Sequence, residues 1–250
     1  MIVNDGKDND LDTFAGLIAD DEVVACLRDT SAGSFEAAAS FWSVSNSTAH
    51  LTARMRELIL LAMHATSTAL NVDAIGRHLR RARAAGASDQ DIVDVLITIV
   101  AVANHALYAA IPILEEEAER AGATGTSDPS LDAAFEAAKQ DFISSRGFWN
   151  PDRELLARLM PEYFDALNGV STESWKNGSL TAKEREFVCI GIDCTVTHSF
   201  PQGLRAHIRN ALGHGANTQE ILQIFQLAAT MGLEGYLLAG RAMTKHPARA

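Results

Sequence analysis

The stretch Leu180–Ile221 (LTAKEREFVCIGIDCTVTHSFPQGLRAHIRNALGHGANTQEI) has the spacing of two and a half helices joined by short turns. An earlier stretch, Leu51–Ile92 (LTARMRELILLAMHATSTALNVDAIGRHLRRARAAGASDQDI), aligns with it without a gap at a shift of 129 residues. The alignment pairs the reactive residues of the two copies, Glu57 with Glu186 and His78 with His207. The sequence therefore predicts a helical hairpin that occurs twice, each time with one glutamate and one histidine.

The composition predicts helices and no strands. Of the 250 residues, 47% are hydrophobic and only 6% aromatic, and no segment alternates regularly between apolar and polar residues. Between the two copies, Gly122–Pro129 (GATGTSDP) is small and polar, as expected of a linker. The predicted fold is all-α, a tandem repeat of two helical units. N-terminal helices and the first repeat cover 1–121, the linker covers 122–130, and the second repeat covers 131–250.

Two segments outside the hairpins have boundaries that are predicted from local pattern alone. Ser88 and Asp91 have the spacing of an N-cap and its third helical residue, and the apolar pattern after them predicts one long helix as far as Arg120. By contrast, Gly169–Ser179 is rich in small and polar residues around Trp175 and is predicted to be a loop.

Charge and composition restrict the partners. A net charge of −11 argues against nucleic acid, which is bound by clustered lysine and arginine. The N-terminus lacks the basic-then-apolar pattern of a signal peptide, and the three cysteines form no CxxC and no even framework. The longest apolar run, Val93–Ile113, is interrupted by polar residues and is expected to be a core helix rather than a membrane span. We therefore expect a cytoplasmic protein that binds neither nucleic acid nor membranes.

The hairpin places acidic groups in an apolar helix. Glu186 and Asp193 are seven residues apart and lie on one helical face. A buried carboxylate is costly unless it is paired, and the hairpin turn brings His207 back towards Glu186. Such a pair can transfer protons, because the carboxylate fixes the imidazole tautomer and raises its basicity. The first copy has Glu57, His64 and His78 at the equivalent positions.

A purely structural role fits the same pattern. Each motif arginine, Arg56 or Arg185, precedes its glutamate and can form an inter-helix salt bridge. Each histidine would then be a core residue that holds the hairpin together. Spacing alone does not choose between this alternative and acid/base catalysis.

Differences between the copies indicate that the second is richer in reactive groups. Cys194 and His198 replace alanines of the first copy, and Glu234 stands where the first copy has His105. If the site lies where the copies face each other, both contribute to it, and His64 and His105 are then candidates alongside His198. A metal site would use His198, His207 and a carboxylate, but this copy has no HxxxH or HExxH spacing, so no metal is predicted.

The chain resembles the carboxymuconolactone decarboxylase family. The resemblance rests on L-T-x-x-x-R-E, an apolar helix and then H-x-x-x-A-x-x-x-G-A, which occur in both copies. It covers most of Leu51–Leu107 and Leu180–Leu238. It implies an all-α tandem of two alkylhydroperoxidase D-like units. By analogy with single-unit members, it also implies a homo-oligomer, with a trimer favoured.

The chain departs from the family pattern at two places. The redox branch of the family, alkylhydroperoxidase D, has cysteines seven and four residues before the motif histidine. Phe200 and Gly203 occupy these positions in the second copy, and Asn71 and Ala74 occupy them in the first, so the dithiol is missing. In addition, Gly232–Gly235 (GLEG) replaces the Gly-x-Pro-Ala turn that the decarboxylases tend to have.

The resemblance implies a cofactor-free lyase of the carboxy-lyase type, or an isomerase, acting on a small unsaturated acid or lactone. His207 would be the general acid/base and Glu186 would orient it, while His198 or Asp193 would handle a second proton. Two alternatives stay open. One is a thiol-dependent antioxidant enzyme centred on Cys194, and the other is a non-catalytic oligomer that binds a small ligand.

Overall fold

The computed structural model describes residues 5–47, 49–123 and 131–246. Every regular element in this part of the chain is an α-helix, and there are fourteen of them. They are α1 (Asp5–Ile18), α2 (Asp21–Thr30), α3 (Ala32–Ser45), α4 (Ala53–Ala65), α5 (Val72–Ala84), α6 (Asp89–Val102), α7 (His105–Arg120), α8 (Ala133–Arg146), α9 (Asp152–Leu159), α10 (Pro161–Asn177), α11 (Ala182–Cys194), α12 (Pro201–Gly213), α13 (Thr218–Thr230) and α14 (Leu233–Lys245). The predicted all-α fold is confirmed. Most of the predicted linker lies outside the described residues.

The duplication extends well beyond the hairpins. Helices α4–α7 correspond to α11–α14 at the 129-residue shift, and the same shift carries the start of α3, Ala32, to the start of α10, Pro161. The pairs α1/α8 and α2/α9 follow in the same order. Each half is therefore a seven-helix unit. Sequence alignment detected only its central part, because the outer helices share order and length but little residue identity.

The predicted long helix from Ser88 to Arg120 is wrong in its middle. Helix α6 ends at Val102 and α7 begins at His105, and α13 and α14 are separated at the equivalent place. The turn contains Asn104 but no glycine or proline, so the sequence pattern gave only a weak stop signal. The start of α7 lies against the hairpin of the other half, where His105 contacts His198.

The predicted loop over Gly169–Ser179 is also wrong, because α10 continues to Asn177. Its polar residues are turned inwards: Ser171, Thr172 and Ser174 are all buried. The Thr172 hydroxyl donates to a backbone carbonyl one turn earlier at 2.9 Å. A polar inner face gives this helix the composition of a loop.

Helices α4 and α11 pack against each other in the core. Leu58, Ile59 and Val188 are completely shielded from solvent. The approach is close at Gly191, where a Cβ atom would overlap the Ile59 side chain, and the equivalent residue of α4 is Ala62. Small residues at the contact let the two apolar faces interlock. Acidic groups in these helices are therefore held in a dry environment.

Two stretches, Asp89–Arg120 and Thr218–Lys245, are long and apolar enough to span a membrane by length and composition alone. Each is divided by a turn into two helices that are shorter than the ~20 residues a membrane span needs. Core helices of soluble proteins pass the same test, so this is weak support for a membrane location. The expected cytoplasmic location stays a prediction.

Each half holds the start of the other half's hairpin through a buried polar residue. Asp94 in α6 accepts hydrogen bonds from the Leu180 amide and from Arg185 Nη1, both at 3.0 Å. Gln223, its equivalent in α13, accepts a hydrogen bond from the Leu51 amide at 2.8 Å. Arg185 therefore pairs across the two halves and not with the glutamate beside it. We call these two contacts the cross-half clasps.

The clasp of Asp94 is expected to contribute strongly to stability. Asp94→Ala leaves the Arg185 guanidinium buried without its anion, which costs about 3–5 kcal/mol. Urea denaturation measures the loss. Asp89→Ala, which removes the partner of Arg83 in an exposed ion pair, is the matched control and should cost less than about 1 kcal/mol. Equally small losses in both variants would contradict the role of the clasp.

Candidate active site

The expected Glu–His contact forms in both copies. Glu186 Oε2 and His207 Nδ1 are 2.5 Å apart, and Glu57 Oε2 and His78 Nδ1 are 2.8 Å apart. All four residues are at most 3% exposed. Because the carboxylate occupies Nδ1, the Nε2 atom of each ring is the one left for proton exchange.

The two glutamates differ in their second partner. Arg81 donates to Glu57 at 2.8 Å, whereas Asn210, at the equivalent position, donates to Glu186 at 3.0 Å. A permanent cation therefore offsets the charge of the first glutamate. The Asn210 amide is neutral, so the charge of Glu186 is offset by His207 and not by this second partner.

The pKa values of the two histidines move in opposite directions. Burial lowers the pKa of His78. Burial alone would also lower the pKa of His207, but contacts with Cys189 and Glu186 raise it well above its usual value. In the first copy the apolar Leu60 stands in place of Cys189. The direction of the shift favours the charged form of His207, which can act as a general acid, and the neutral form of His78.

Each pair is extended by a residue from the other half. His105 Nδ1, at the start of α7, lies 3.5 Å from Asp193 Oδ1, and Glu234 Oε1, at the start of α14, lies 3.6 Å from His64 Nε2. At the 129-residue shift His105 corresponds to Glu234, and His64 to Asp193. In the second cluster the acid is on the hairpin helix and the histidine comes from the other half. In the first cluster the histidine is on the hairpin helix and the acid comes from the other half.

The first cluster is closed by its own side chains. Arg77 donates to Glu234 Oε1, and Asn71 donates to Oε2 at 3.1 Å, so both carboxylate oxygens are occupied. His64 stacks on His78 with ring centroids 5.2 Å apart. Burial lowers the pKa of His64 to about 3. This arrangement is that of a packed structural core.

The second cluster borders a cavity of about 300 Å³. Ala206 and Phe200 stand where the first copy has Arg77 and Asn71, so the guanidinium that closes the first cluster is missing. Phe200 and Gly203, the two positions where the redox branch has its thiols, both line this cavity. Its ionisable and polar wall includes His105, Tyr108, Arg146, Arg153, Gln202 and His207.

Two buried arginines of this wall, Arg146 and Arg153, form no hydrogen bond or ion pair with an acidic residue in the part of the chain that the structure describes. Arg146 donates to the Ser171 carbonyl at 2.8 Å. Arg153 donates to the Tyr108 hydroxyl at 3.0 Å and to the Asn168 side chain at 3.1 Å. The Nε atom of each guanidinium is buried without a hydrogen bond. Both cations therefore keep unused bonding capacity at the cavity.

Aromatic rings shield the two guanidinium groups. The guanidinium carbon of Arg146 lies 4.6 Å from the Trp175 ring centre, and that of Arg153 lies 4.1 Å from the Phe142 ring centre. Burial lowers the pKa of Arg153, and the charge of Arg146 adds to this shift. Two like charges in one dry wall are costly without an anion, and planar guanidinium groups suit a carboxylate. The cavity therefore favours an anionic ligand.

The first half does not carry this charge. Val24 is the equivalent of Arg153, and the last turn of α1, which corresponds to the last turn of α8, contains Leu17 and Ile18. All three residues are buried and apolar. The arginines are therefore a specialisation of the second half and not a requirement of the fold.

A compact cluster at the edge of the cavity contains the predicted Asp193 and His198. His105 Nδ1 and His198 Nε2 are 2.9 Å apart, and Asp193 Oδ1 lies 3.5 and 3.6 Å from them. Burial raises the pKa of Asp193 to about 7, against the charge of His207. Burial also lowers the pKa of His198, and it lowers the pKa of His105 to about 3. The predicted second proton transfer by Asp193 or His198 stays a prediction.

Cys194 is not part of this arrangement. It lines a separate groove with Val196 and Leu204. Its thiol donates to the Gly191 carbonyl at 3.4 Å, and burial raises its pKa to about 12. A thiol in this state is protonated at neutral pH and is a poor nucleophile. The geometry therefore gives no support to the thiol-dependent alternative.

Arg146 and Arg153 were not predicted from the sequence. Their one signal was their spacing, seven residues apart on either side of Phe148 and Trp149, in a chain with few aromatic residues. This segment precedes the repeated hairpin, so comparison of the two motif copies could not detect it. Only the fold brings α8 and α9 to the cavity beside the motif histidine.

Comparisons with known proteins agree with the fold and the motif. The model of the carboxymuconolactone decarboxylase family matches residues 33–116 and 161–245, so the chain belongs to this family, with one match in each half. A crystal structure from Burkholderia xenovorans LB400 is similar, with a TM-score of 0.86 and 29% identity over 96% of each chain. That protein is provisionally described as a gamma-carboxymuconolactone decarboxylase subunit. No curated protein matches the chain in sequence.

The second partner of Glu186 provides a test of the charge on His207. Asn210→Arg should lower the pKa of His207, because a cation beside Glu186 disfavours the imidazolium. NMR titration of the imidazole resonances measures the change. Arg81→Asn is the reciprocal variant and should raise the pKa of His78. An unchanged His207 pKa in a folded Asn210→Arg protein would contradict the assignment.

Proposed function

We propose that the cavity beside the second-half Glu–His pair, which α6 and α7 of the first half also line, is the active site of a carboxy-lyase or isomerase that acts on a small unsaturated acid or lactone acid. One observation carries the proposal. A single cavity is lined by a buried histidine of raised pKa, His207, and by two arginines without an acidic partner, Arg146 and Arg153. The arginines hold a carboxylate and the histidine exchanges a proton. Membership of the decarboxylase family supports the same class of reaction.

Arg146 and Arg153 select the charge of the substrate. A carboxylate that enters the cavity offsets two buried cations and accepts hydrogen bonds from their unused N–H groups. Because such pairing stabilises the charged ground state, the anchored carboxylate is one that the product retains. A decarboxylation therefore requires a second carboxyl group, and a diacid is the expected substrate. An isomerisation requires only one.

His207 supplies the proton. Loss of CO₂ breaks a C–C bond and leaves the electron pair on carbon, conjugated with the unsaturated system. His207 donates its Nε2 proton to that carbon and is reprotonated from solvent. Glu186 holds Nδ1 at 2.5 Å and so fixes the ring in the required orientation. A placed general acid of this kind contributes ~10²–10⁴-fold.

The first half has a supporting role in this proposal. Glu57 and His78 repeat the pair, but Arg81 offsets the glutamate and Arg77 fills the space that Ala206 leaves open in the second half. The first pair therefore stabilises its hairpin. One active site per chain follows.

Turnover of gamma-carboxymuconolactone and related unsaturated diacids, followed by CO₂ release and product analysis, tests the proposal. His207→Gln, whose amide still donates to Glu186, should lower kcat by at least ~10²-fold in a protein that stays folded. Arg146→Met and Arg153→Met should raise KM more than ~10-fold for the acid, because they remove the anchor of its carboxylate.

Two controls make the result specific. Arg205→Met, on the exposed face of α12, should leave both constants unchanged. The methyl ester of the same acid should bind equally weakly to wild type and to the arginine variants. Binding of the acids without any conversion would identify a non-catalytic binding protein. Full activity of His207→Gln would show that this pair is only structural.

A further inference from the structure

We propose that His105, Asp193 and His198 form a binding site for a divalent first-row transition-metal ion at the edge of the second-half cavity. The proton transfer proposed for His207 does not use these three residues. The proposal stands on their geometry and is independent of the proposed reaction. It departs from the sequence-based expectation that no metal is bound, because His105 reaches the cluster from the other half and contributes to no local motif.

The three ligand atoms already have the spacing of a coordination site. His105 Nδ1, His198 Nε2 and Asp193 Oδ1 form a triangle with sides of 2.9, 3.5 and 3.6 Å. Neighbouring ligands around an ion with bonds of about 2.1 Å are separated by about 3.0–3.4 Å in octahedral or tetrahedral geometry. An ion therefore fits on this triangle with only small side-chain movements.

Outside the triangle, His207 Nε2 lies 3.9 Å from Asp193 Oδ2, which is too far for a hydrogen bond. Asp193 is 1% exposed, and both of its oxygens are buried without a hydrogen bond. A buried unpaired carboxylate is among the most costly groups in a protein core. Gly203 gives the carboxylate this position, because a Cβ atom there would overlap Asp193 Oδ2. A cation on the triangle offsets the charge and occupies an oxygen that nothing else in the described chain binds.

The donor set suits a transition metal. Two imidazole nitrogens and one carboxylate oxygen are ligands for zinc, iron, cobalt and nickel, whereas calcium and magnesium prefer oxygen alone. His105 also lines the cavity, so an ion bound to it lies close to any ligand held there. A bound ion would act on that ligand as a Lewis acid.

Two other clusters of potential ligands do not meet these criteria. In the group His64, His78 and Glu234, both oxygens of Glu234 are already bonded, one of them by the Arg77 cation. The other group, Glu186, Cys189 and His207, is fully buried, and both glutamate oxygens accept hydrogen bonds, from His207 and from Asn210. The first of these groups is the symmetry-related counterpart of the proposed site and serves as an internal control.

Zinc binding to the chelator-treated protein tests the site. Native mass spectrometry should show one Zn²⁺ per chain, and competition with a chromophoric chelator should give the affinity. Asp193→Asn and His198→Ala should each weaken zinc binding at least ~100-fold, because each removes one of three protein ligands. Co²⁺ added in place of Zn²⁺ should produce visible absorption bands in wild type that both variants lose.

His64→Ala, in the counterpart cluster of the first half, is the matched control and should leave stoichiometry and affinity unchanged. His198 is partly exposed, so His198→Ala decides the outcome even where Asp193→Asn folds poorly. Wild-type protein that retains no zinc at micromolar concentrations would overturn the proposal. Equal zinc affinity in wild type and in His198→Ala would do the same, since it would identify the ion as adventitious.

Discussion

A glutamate buried in the middle of an apolar helix must be paired, and the structure depends on how each half satisfies this constraint. Glu57 and Glu186 lie in the two helices that form the centre of the core. Each hairpin folds back so that the next helix supplies a histidine to its carboxylate. The constraint thereby determines the hairpin, and the cross-half clasps hold the two hairpins against each other. The Glu–His pair can therefore have a structural and a catalytic role together, because the buried glutamate needs this partner whether or not the pair takes part in a reaction.

Duplication allowed the two pairs to diverge while the fold stayed the same. In the first half, Arg77 and Arg81 neutralise the buried acids and fill the space around them. In the second half, Ala206 and Asn210 take these positions, so positive charge and volume are both lost near the pair. New positive charge enters further away, on α8 and α9, where the first half has buried apolar residues. The result is an open cavity with a charged histidine at one place and two arginines at another.

The sequence predicted the parts of this account that depend on local spacing. Helical class, the two hairpins and the Glu186–His207 contact follow from periodicity and internal repetition, whereas the family was predicted from the resemblance of the repeated motif. The break before His105 was missed, because its turn contains Asn104 but neither glycine nor proline. Helix α10 was mistaken for a loop because its composition does not show that its polar residues face inwards. Arg146, Arg153 and the position of His105 beside Asp193 depend on contacts between distant segments, which one sequence without an alignment does not contain.

The central claim is that one of the two related clusters is an open anion-binding active site and the other is a closed structural core. A crystal structure of the protein soaked with a small unsaturated dicarboxylate such as cis,cis-muconate tests it most directly. The account predicts one molecule per chain in the second-half cavity, with a carboxylate bonded to Arg146 and Arg153 and the unsaturated carbons towards His207. A molecule bound instead at the cluster of Arg77 and Glu234, or an empty cavity at saturating ligand, would contradict it.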